Sequence, residues 1–398
     1  MTPGAYPPRV DELQRGALVA GALGVAACGL GLFLNPHQFF RSYLFAFLFW
    51  TGIAVGALGV SMIHHLAGGR WGLVILRILE AATRTLPVLG LLFLPLVFGL
   101  PQLYLWARPE QVAADPLLQH KSAYLNVPFF LGRAAVYFAV WSLFAHLLSK
   151  WTQAIDQGGD REAISKKLRG LSGGGLVVMA LTVTLAAVDW AMSLSPHWFS
   201  TVYGILFMVG QCLSALAFVV VLMAGFADQK PFAGLVRREQ IHDLGKLLLA
   251  FVMLWAYINL SQFLITWSGN LPEEIPWYLK RLQGGWQWLG LALVLFHFVL
   301  PFLLLLSRDL KRNAGLLGTV AGVILVFRMV DLFWLVAPET AGGHGGHAPG
   351  FSVHWLDLGA LLAVGGLWLL AFVRELKGRS LLPTGEPEIQ ELIEGAVE

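Results

Sequence analysis

Long apolar runs recur along the chain, each about 20 residues or more, and short polar segments separate them. A helix of that length crosses the ~30 Å hydrocarbon layer of a bilayer, and in lipid it satisfies its own backbone hydrogen bonds. We therefore predict an all-α membrane protein with ten transmembrane helices. The predicted spans are 16–34, 41–65, 71–99, 127–149, 171–193, 197–226, 241–267, 284–307, 314–337 and 352–374.

The third span is the least regular of the ten. Three charged residues interrupt its first half, and Pro87 and Pro95 follow in its second half. Because proline cannot donate the helical backbone hydrogen bond, we expect these two residues to kink the helix.

The composition excludes several classes of protein. Hydrophobic residues make up 57% of the chain and charged residues only 13%, whereas a soluble domain carries about 25% charge. A net charge of +3 gives no indication of a nucleic-acid partner. Cys28 and Cys212 cannot supply the four thiolates that an iron–sulfur cluster requires, and no Cys-x-x-Cys-His motif for covalent haem occurs.

The Lys and Arg residues are unevenly shared between the two sides of the predicted helices. Of the 27, 17 lie on the side of the chain termini and five on the opposite side. Since cytoplasmic loops carry the excess of basic residues, we expect a bacterial inner (cytoplasmic) membrane protein with both termini in the cytoplasm.

The predicted parts are a cytoplasmic N-tail at 1–15, a ten-helix membrane domain at 16–374 and a cytoplasmic C-tail at 375–398. The acidic stretch 380–398 is expected to be flexible or bound to a partner.

Ionisable side chains within lipid are costly, so each one in a predicted span is a functional hypothesis. They form two groups by depth, and His297 lies near mid-membrane between them. The group toward the cytoplasm comprises His64, His65, Arg77, Glu80, Arg84, His146, His242, Asp243 and Lys246, and the group toward the periplasm comprises Arg133, Asp189, Arg328 and Asp331.

Spacing gives some of these residues a common direction. Arg77, Glu80 and Arg84 stand at i, i+3 and i+7, which places them on one helical face. Three charges cannot face lipid, so this face is predicted to point into the bundle. It forms either a proton-conducting inlet around Glu80 or an internally neutralised pair that holds the helix to its neighbours. The i, i+3 spacing of Arg328 and Asp331 favours a structural ion pair.

Asp189 is the strongest candidate for proton exchange, because it stands nearly alone in an apolar helix. A carboxylate removed from water is more easily protonated near neutral pH. Arg133, at similar depth on the preceding helix, is its candidate partner. The alternatives are an ion pair that serves stability and a carboxylate that caps the next helix.

The histidines give weaker indications. His64 or His65 could oppose His146 on helices 2 and 4 and ligate a b-type haem, but a four-helix dihaem protein needs two such pairs and His297 has no evident mate. Three histidines lie in or near the glycine-rich stretch 342–347, and they are His344, His347 and His354. They are either metal ligands or part of a mobile linker.

Two motifs carry a resemblance to a known family. They are Val-Asp-Trp-Ala-Met-Ser-Leu-Ser-Pro-His-Trp-Phe-Ser-Thr-Val-Tyr-Gly at 188–204 and Gln-Phe-Leu-Ile-Thr-Trp-Ser-Gly-Asn-Leu-Pro-Glu-Glu-Ile-Pro-Trp-Tyr at 262–278. Together they resemble the ActF subunits of bacterial alternative complex III, a quinol:electron-acceptor oxidoreductase. These are the second NrfD/PsrC-like membrane subunits of that complex, and the resemblance extends over essentially all ten helices.

The resemblance implies a fold, partners and a function. In the NrfD-like fold, helices 2–5 and 6–9 form two four-helix bundles and helices 1 and 10 are peripheral. ActF-like subunits hold no redox cofactor. They sit beside a homologous NrfD-like subunit that binds quinol (menaquinol or another quinol) next to an iron–sulfur subunit, with multihaem and monohaem c-type cytochrome subunits completing the redox chain. They have been proposed to provide proton half-channels, which maps onto Asp189 of the matched motif.

Two other functions stay open at this point. In one, the subunit itself oxidises quinol at a site of Asp189, His197 and nearby aromatic residues, with the carboxylate accepting the proton. In the other, the chain is a secondary transporter, with a mid-membrane site between repeats that contain broken helices. Helix 3 is the candidate broken helix, but the second half of the chain offers it no clear counterpart.

Overall fold

The computed structural model describes residues 6–341, 350–387 and 389–390, and all regular secondary structure in these ranges is helical. Within these ranges, ten helices are long and apolar enough to cross a membrane, which indicates the predicted multi-pass membrane protein. They are α1 Pro8–Leu34, α2 Pro36–Ala67, α3 Leu76–Phe98, α4 Val127–Asp156, α5 Arg161–Leu194, α6 Tyr203–Phe226, α7 Arg238–Gly269, α8 Trp286–Leu306, α9 Ala314–Thr340 and α10 Trp355–Lys377. The histidines His344 and His347 lie outside the described residues.

Several helices are longer than the apolar runs that predicted them. An apolar run marks the part of a helix that faces lipid, whereas the helix itself continues to its cap. Thus α5 begins ten residues early at Arg161, where the Asp160 side chain accepts a hydrogen bond from the Ala163 amide. Similarly, α1 begins at Pro8, within the predicted N-tail. In contrast, α6 begins at Tyr203 instead of residue 197, after an irregular turn.

The helices α3 and α8 depart from a regular α-helix along their length. Regular α-helix in α3 is interrupted twice, which leaves the segments Leu76–Thr83, Leu86–Leu92 and Leu94–Phe98. Pro87 and Pro95 each stand in the first turn of a segment, where a missing amide hydrogen does least harm, so each interruption falls just before a proline that was expected to kink the helix. In α8, Leu293–Val299 is a π-helix, a form that is often found at functional sites.

The helix ends fall on two faces of the protein because successive helices run in opposite directions. We call the face with the start of α1 and the end of α10 the terminal face, and the opposite one the distal face. At the terminal face, the Tyr6 hydroxyl donates to the Lys377 carbonyl, and Arg9 pairs with Asp228 after α6 at 2.8 Å. At the distal face, Lys121 Nζ donates to the Pro196 carbonyl at 2.6 Å.

The helix α2 lies at the centre of the fold. Its most apolar stretch is 94% buried inside the protein, against 28% for α1, and it packs on α6, α10, α5 and α3. Sequence neighbours among α2–α5 contact each other and α5 returns to α2; the same pattern of contacts links α6–α9. A helix that is apolar on all sides is expected to be surrounded by other helices, as α2 is.

The helices α1 and α10 pack closely along most of their length. Gly24 makes this possible, because a Cβ atom there would lie 2.1 Å from the Ala363 nitrogen. Small residues at such a crossing let two backbones approach, which is how helices gain packing energy in lipid.

Candidate functional site

A cluster of buried charges lies near the terminal face, between α3 and α4. Arg77 Nη1 donates to Glu80 Oε2 at 2.5 Å, and its second amino group pairs with Asp156 at the end of α4. The Thr152 hydroxyl donates to Glu80 Oε1 at 2.6 Å. The Arg77 and Glu80 side chains are only 3% and 4% exposed. We call Arg77, Glu80, Thr152 and Asp156 the Glu80 cluster.

A cavity of about 230 Å³ joins the Glu80 cluster to the terminal face. Arg77, Thr152 and Asp156 form part of its wall, so Glu80 lies one side chain away from it. The volume is large enough for several water molecules, and polar side chains line much of the wall. The rest of the wall comes from the turn after α2, from the first turns of α5 and from the stretch after α10, and it includes Gly68, Gly69, Leu168, Arg169 and Glu386.

Arg84 does not belong to the Glu80 cluster, although its spacing predicted a shared face with Arg77 and Glu80. Regular helix ends at Thr83, and the Arg84 side chain instead pairs with Glu375 of α10, with Nε 2.5 Å from Oε2. The predicted charged stripe is therefore divided between two helix interfaces.

The histidines of the terminal half do not lie together in one site either. His64 and His65, at the end of α2, line the cavity, and the buried His64 Nδ1 and His65 Nε2 have no hydrogen-bond partner among the described residues. His146 is exposed on the outer side of α4 and does not line the cavity. The arrangement that would ligate a haem between α2 and α4 is thus not formed in the structure.

Asp243 and Lys246 form a pair on the surface at the start of α7. Lys246 Nζ lies 2.9 Å from Asp243 Oδ1, and the two side chains are 58% and 43% exposed. Such an exposed i, i+3 pair is solvated and does not extend into the protein interior.

Asp189 lies at the distal end of α5 and is completely buried. Arg133 of α4 donates from Nε and Nη2 to the two carboxylate oxygens, both at 2.8 Å, and the Tyr137 hydroxyl donates to Oδ2 at 2.8 Å. The Arg133 guanidinium also lies over the Tyr124 ring at 3.8 Å. A bidentate pair with a third hydrogen bond is a strong, fixed geometry.

A second buried cluster lies between α6, α7, α8 and α9. Arg328 pairs with Asp331 one turn away, and Trp255 Nε1 donates to Asp331 Oδ2 at 3.0 Å. His297, in the π-helical part of α8, lies edge-on to Trp255 with ring centroids 4.3 Å apart. Among the described residues, both His297 ring nitrogens and Asp331 Oδ1 are buried without a hydrogen-bond partner. Buried polar atoms usually have partners, so these three favour bound water.

One buried ion pair was not predicted from the sequence. Arg281, which the sequence placed in a distal loop, has a fully buried side chain and donates to Glu339 Oε1 at 2.8 Å. It also donates to the Trp277, Trp334 and Leu335 carbonyls. The sequence feature that could have indicated this pair is Glu339 itself, an isolated acidic residue next to Pro338. It comes directly after an apolar run and has no basic residue near it in sequence.

The two motif segments meet at the distal face. Trp198 of the first stacks on Trp277 of the second, and Ser200 Oγ donates to Gln262 Oε1 at 2.5 Å. His197, by contrast, is 58% exposed and lies 2.7 Å from Asp115, so it does not join Asp189.

The described residues contain no evident metal site, and no known family model matches the chain. No group of three or more His, Cys, Asp or Glu residues suited to a metal ion occurs within 6–341, 350–387 and 389–390. No curated protein matches this chain either.

Proposed function

We propose that this chain is a non-catalytic membrane subunit of a quinol:electron-acceptor oxidoreductase of the alternative complex III type. The proposal is supported by the two ActF-like motifs, which pack on each other through Trp198 and Trp277. In it, the redox cofactors belong to partners: a homologous NrfD-like subunit, an iron–sulfur subunit, and multihaem and monohaem c-type cytochromes. Quinol is the substrate of the whole assembly, and this subunit carries no redox cofactor.

The proposal also includes an arrangement in the membrane. The excess of Lys and Arg supports an inner-membrane protein whose terminal face is cytoplasmic. The helix contacts support a division into the bundles α2–α5 and α6–α9, with α1 on the outside. The position of α10 is less peripheral than in the expected fold, because 61% of its most apolar stretch is buried.

The buried charges are proposed to provide proton half-channels. The observation that carries this proposal is the position of Glu80, a buried carboxylate whose hydrogen-bond partners Arg77 and Thr152 line a cavity at the terminal face. Water in this cavity would bring protons from that side to within one side chain of Glu80. The cluster of His297, Arg328 and Asp331 is the corresponding candidate for the distal half. Half-channels that do not join would prevent a direct leak of protons.

The contacts of Asp189 give less support to this route than its sequence context did. Its carboxylate accepts hydrogen bonds from Arg133 and Tyr137, and Arg133 already supplies a fixed positive charge. Proton exchange would require this pair to break. The contacts therefore favour the alternative in which Asp189 and Arg133 join α4 to α5, and proton transfer by Asp189 stays a prediction.

The test is a comparison of Glu80→Gln with Glu162→Gln in the purified, reconstituted assembly. Glu162 is exposed near the same face, so its substitution makes the same chemical change outside the Glu80 cluster. We expect Glu80→Gln to lower the number of protons translocated per quinol oxidised, with the rate of quinol oxidation unchanged. Equal proton yields in the two variants would reject the proton route.

The partners are tested by gentle solubilisation and purification of the native assembly. A subunit census and an absorption spectrum should then give c-type haems and iron–sulfur clusters in fixed proportion to this chain. A chain that purifies alone would instead favour the secondary transporter, and quinone bound to this chain beside a partner's cluster would favour quinol oxidation by this subunit.

A further inference from the structure

The chain folds back over the terminal face after α10. Leu381 and Leu382 are 4% and 2% exposed, and Ile389 is 1% exposed, so three apolar side chains fix this stretch to the protein. The sequence predicted a segment that is flexible or bound to a partner. Its described part, residues 380–387 and 389–390, instead covers part of its own chain.

The folded-back stretch forms one wall of the terminal-face cavity. Pro383 and Glu386 line the cavity directly. Glu386 Oε2 accepts hydrogen bonds from Arg161 Nε and Nη2 at 3.0 and 2.7 Å, across the mouth from the start of α5. The Gly385 amide donates to Asp156 Oδ1 at 3.0 Å. The wall therefore bridges the ends of α4 and α5.

The same stretch reaches the Glu80 cluster. The Arg379 guanidinium donates to the Ser149 hydroxyl and lies 3.8 Å from Glu80 Oε2. Arg379 thus supplies a second positive charge beside Glu80, and burial lowers the pKa of this guanidinium. Displacement of the stretch would change both the access of water to Glu80 and the charge around it.

Two parts of the stretch differ in how firmly they are held. Leu381, Leu382 and Ile389 are anchored by burial, whereas Glu386, which lies between them, is held mainly by Arg161, whose side chain is 50% exposed. Exposed ion pairs are weak because water competes for both partners. The part between these buried anchors can therefore separate from the mouth of the cavity as a short loop, while Leu382 and Ile389 stay in place.

We propose that residues 383–387 are a hinged cap on the terminal-face cavity, held closed by Arg161–Glu386 and by the Gly385–Asp156 hydrogen bond. The cap controls how often water reaches the Glu80 cluster. Its role in proton access rests on the function proposed above, but the opening of the cap can be measured without it.

The experiment uses Thr152→Cys as a reporter in the full chain, within its detergent-solubilised native assembly. Thr152 lines the cavity and is 4% exposed, and a cysteine is close to it in size. Cys28 and Cys212 are both buried and are replaced by Ala to remove background. The measured quantity is the rate of labelling by a water-soluble maleimide.

Two variants open the cap by different means. Glu386→Gln weakens the ion pair, and labelling should become about two- to fivefold faster. Gly385→Ala acts by shape, because its Cβ would lie 2.6 Å from the Ile155 carbonyl oxygen, and its effect should be larger. The matched controls are Asp228→Asn, which breaks the exposed pair with Arg9, and Gly378→Ala, whose Cβ would lie 3.5 Å from its nearest neighbour.

The outcomes separate the cap from the proton route. Labelling as slow in Glu386→Gln and Gly385→Ala as in the controls would reject the cap. Faster labelling, with unaltered proton translocation in Glu386→Gln and Gly385→Ala proteins that retain Thr152, would support the cap and count against the proton route. Hydrogen exchange of the Gly385 amide, measured without the cysteine reporter, should accelerate in Glu386→Gln; unchanged exchange would also reject the cap.

Discussion

Trp198 and Trp277 stack face to face, with ring centroids 4.7 Å apart and planes 13° from parallel. The Arg281 guanidinium also lies over the Trp277 ring, with its central carbon 3.4 Å from the centroid. Arg281 in turn pairs with Glu339 at the end of α9. The two segments that carry the family resemblance are thus parts of one packed structure at the distal face, held by aromatic contacts and a buried ion pair.

Arg281→Gln should destabilise the protein more than any change at an exposed charge. It leaves the buried Glu339 without its principal cation, and breaking a buried pair from one side costs about 3–5 kcal/mol. The free energy of unfolding in detergent, measured by a denaturant titration, checks this prediction.

Lys280→Gln is the matched control for Arg281. Lys280 also pairs with Glu339, at 3.0 Å, but its side chain is 40% exposed. Its loss should cost about 1 kcal/mol or less. Equal effects of the two substitutions would contradict the assignment of Arg281 as the buried partner.

Asp189→Asn should act mainly on stability. The substitution leaves the Arg133 guanidinium buried without a counter-charge, at a cost of about 3–5 kcal/mol. Removing both charges, in Arg133→Gln/Asp189→Asn, should restore part of that loss because no unpaired charge remains. Denaturant titration of the two single variants and the double variant measures the coupling energy.

Tyr137→Phe separates the hydrogen bond from the ion pair. It removes one hydrogen bond to the Asp189 carboxylate and should cost about 1.5–3 kcal/mol. Additive effects of Arg133→Gln and Asp189→Asn, with a loss of proton translocation in Asp189→Asn, would instead favour Asp189 as a proton carrier.

The number and approximate position of the helices could be predicted because apolar length alone determines a membrane span. Contacts within one helix could also be predicted, since spacing places Arg77 near Glu80 and Arg328 near Asp331. The direction of a side chain around an apolar helix could not be predicted. His64 is buried and His146 is exposed, although each lies in an apolar stretch of its helix.

Contacts between segments that are far apart in the sequence could not be predicted either. Glu339 stands just after an apolar run, where a solvated loop residue is equally compatible with the pattern. Its pairing with Arg281 depends on how the distal loop folds back on α9. The same holds for Arg379 and Glu386, whose partners lie on α3 and α5, more than 200 residues away.

Low pH should weaken the link between the distal loops at Asp115 and His197. Burial raises the pKa of the Asp115 carboxyl, but hydrogen bonds from the Leu117 and Leu118 amides and from His197 together outweigh it and lower the pKa below its usual 3.8. A carboxyl with a lowered pKa in the folded state stabilises the protein above its unfolded pKa. That contribution is lost as the pH falls through the folded value.

Unfolding of the wild type and of Asp115→Asn between pH 5 and about pH 2.5 measures this contribution. The difference in free energy of unfolding between the two should be constant near pH 5 and should shrink as the pH falls below 3.8. A difference that grows on acidification would show the opposite sign of the shift.

Gly24→Ala should separate α1 from α10. The added Cβ would lie 2.1 Å from the Ala363 nitrogen, and because backbone atoms cannot rotate away, the two helices must move apart. Overpacking of this kind costs about 1–3 kcal/mol. Gly29→Ala, on the same helix, is the matched control, since its Cβ would have no neighbour within 4 Å. There, alanine's helix propensity should leave stability unchanged or increase it by up to about 1 kcal/mol. Thermal unfolding in detergent should therefore shift down for Gly24→Ala alone, and parallel shifts in both variants would mean that α1 does not depend on this close contact.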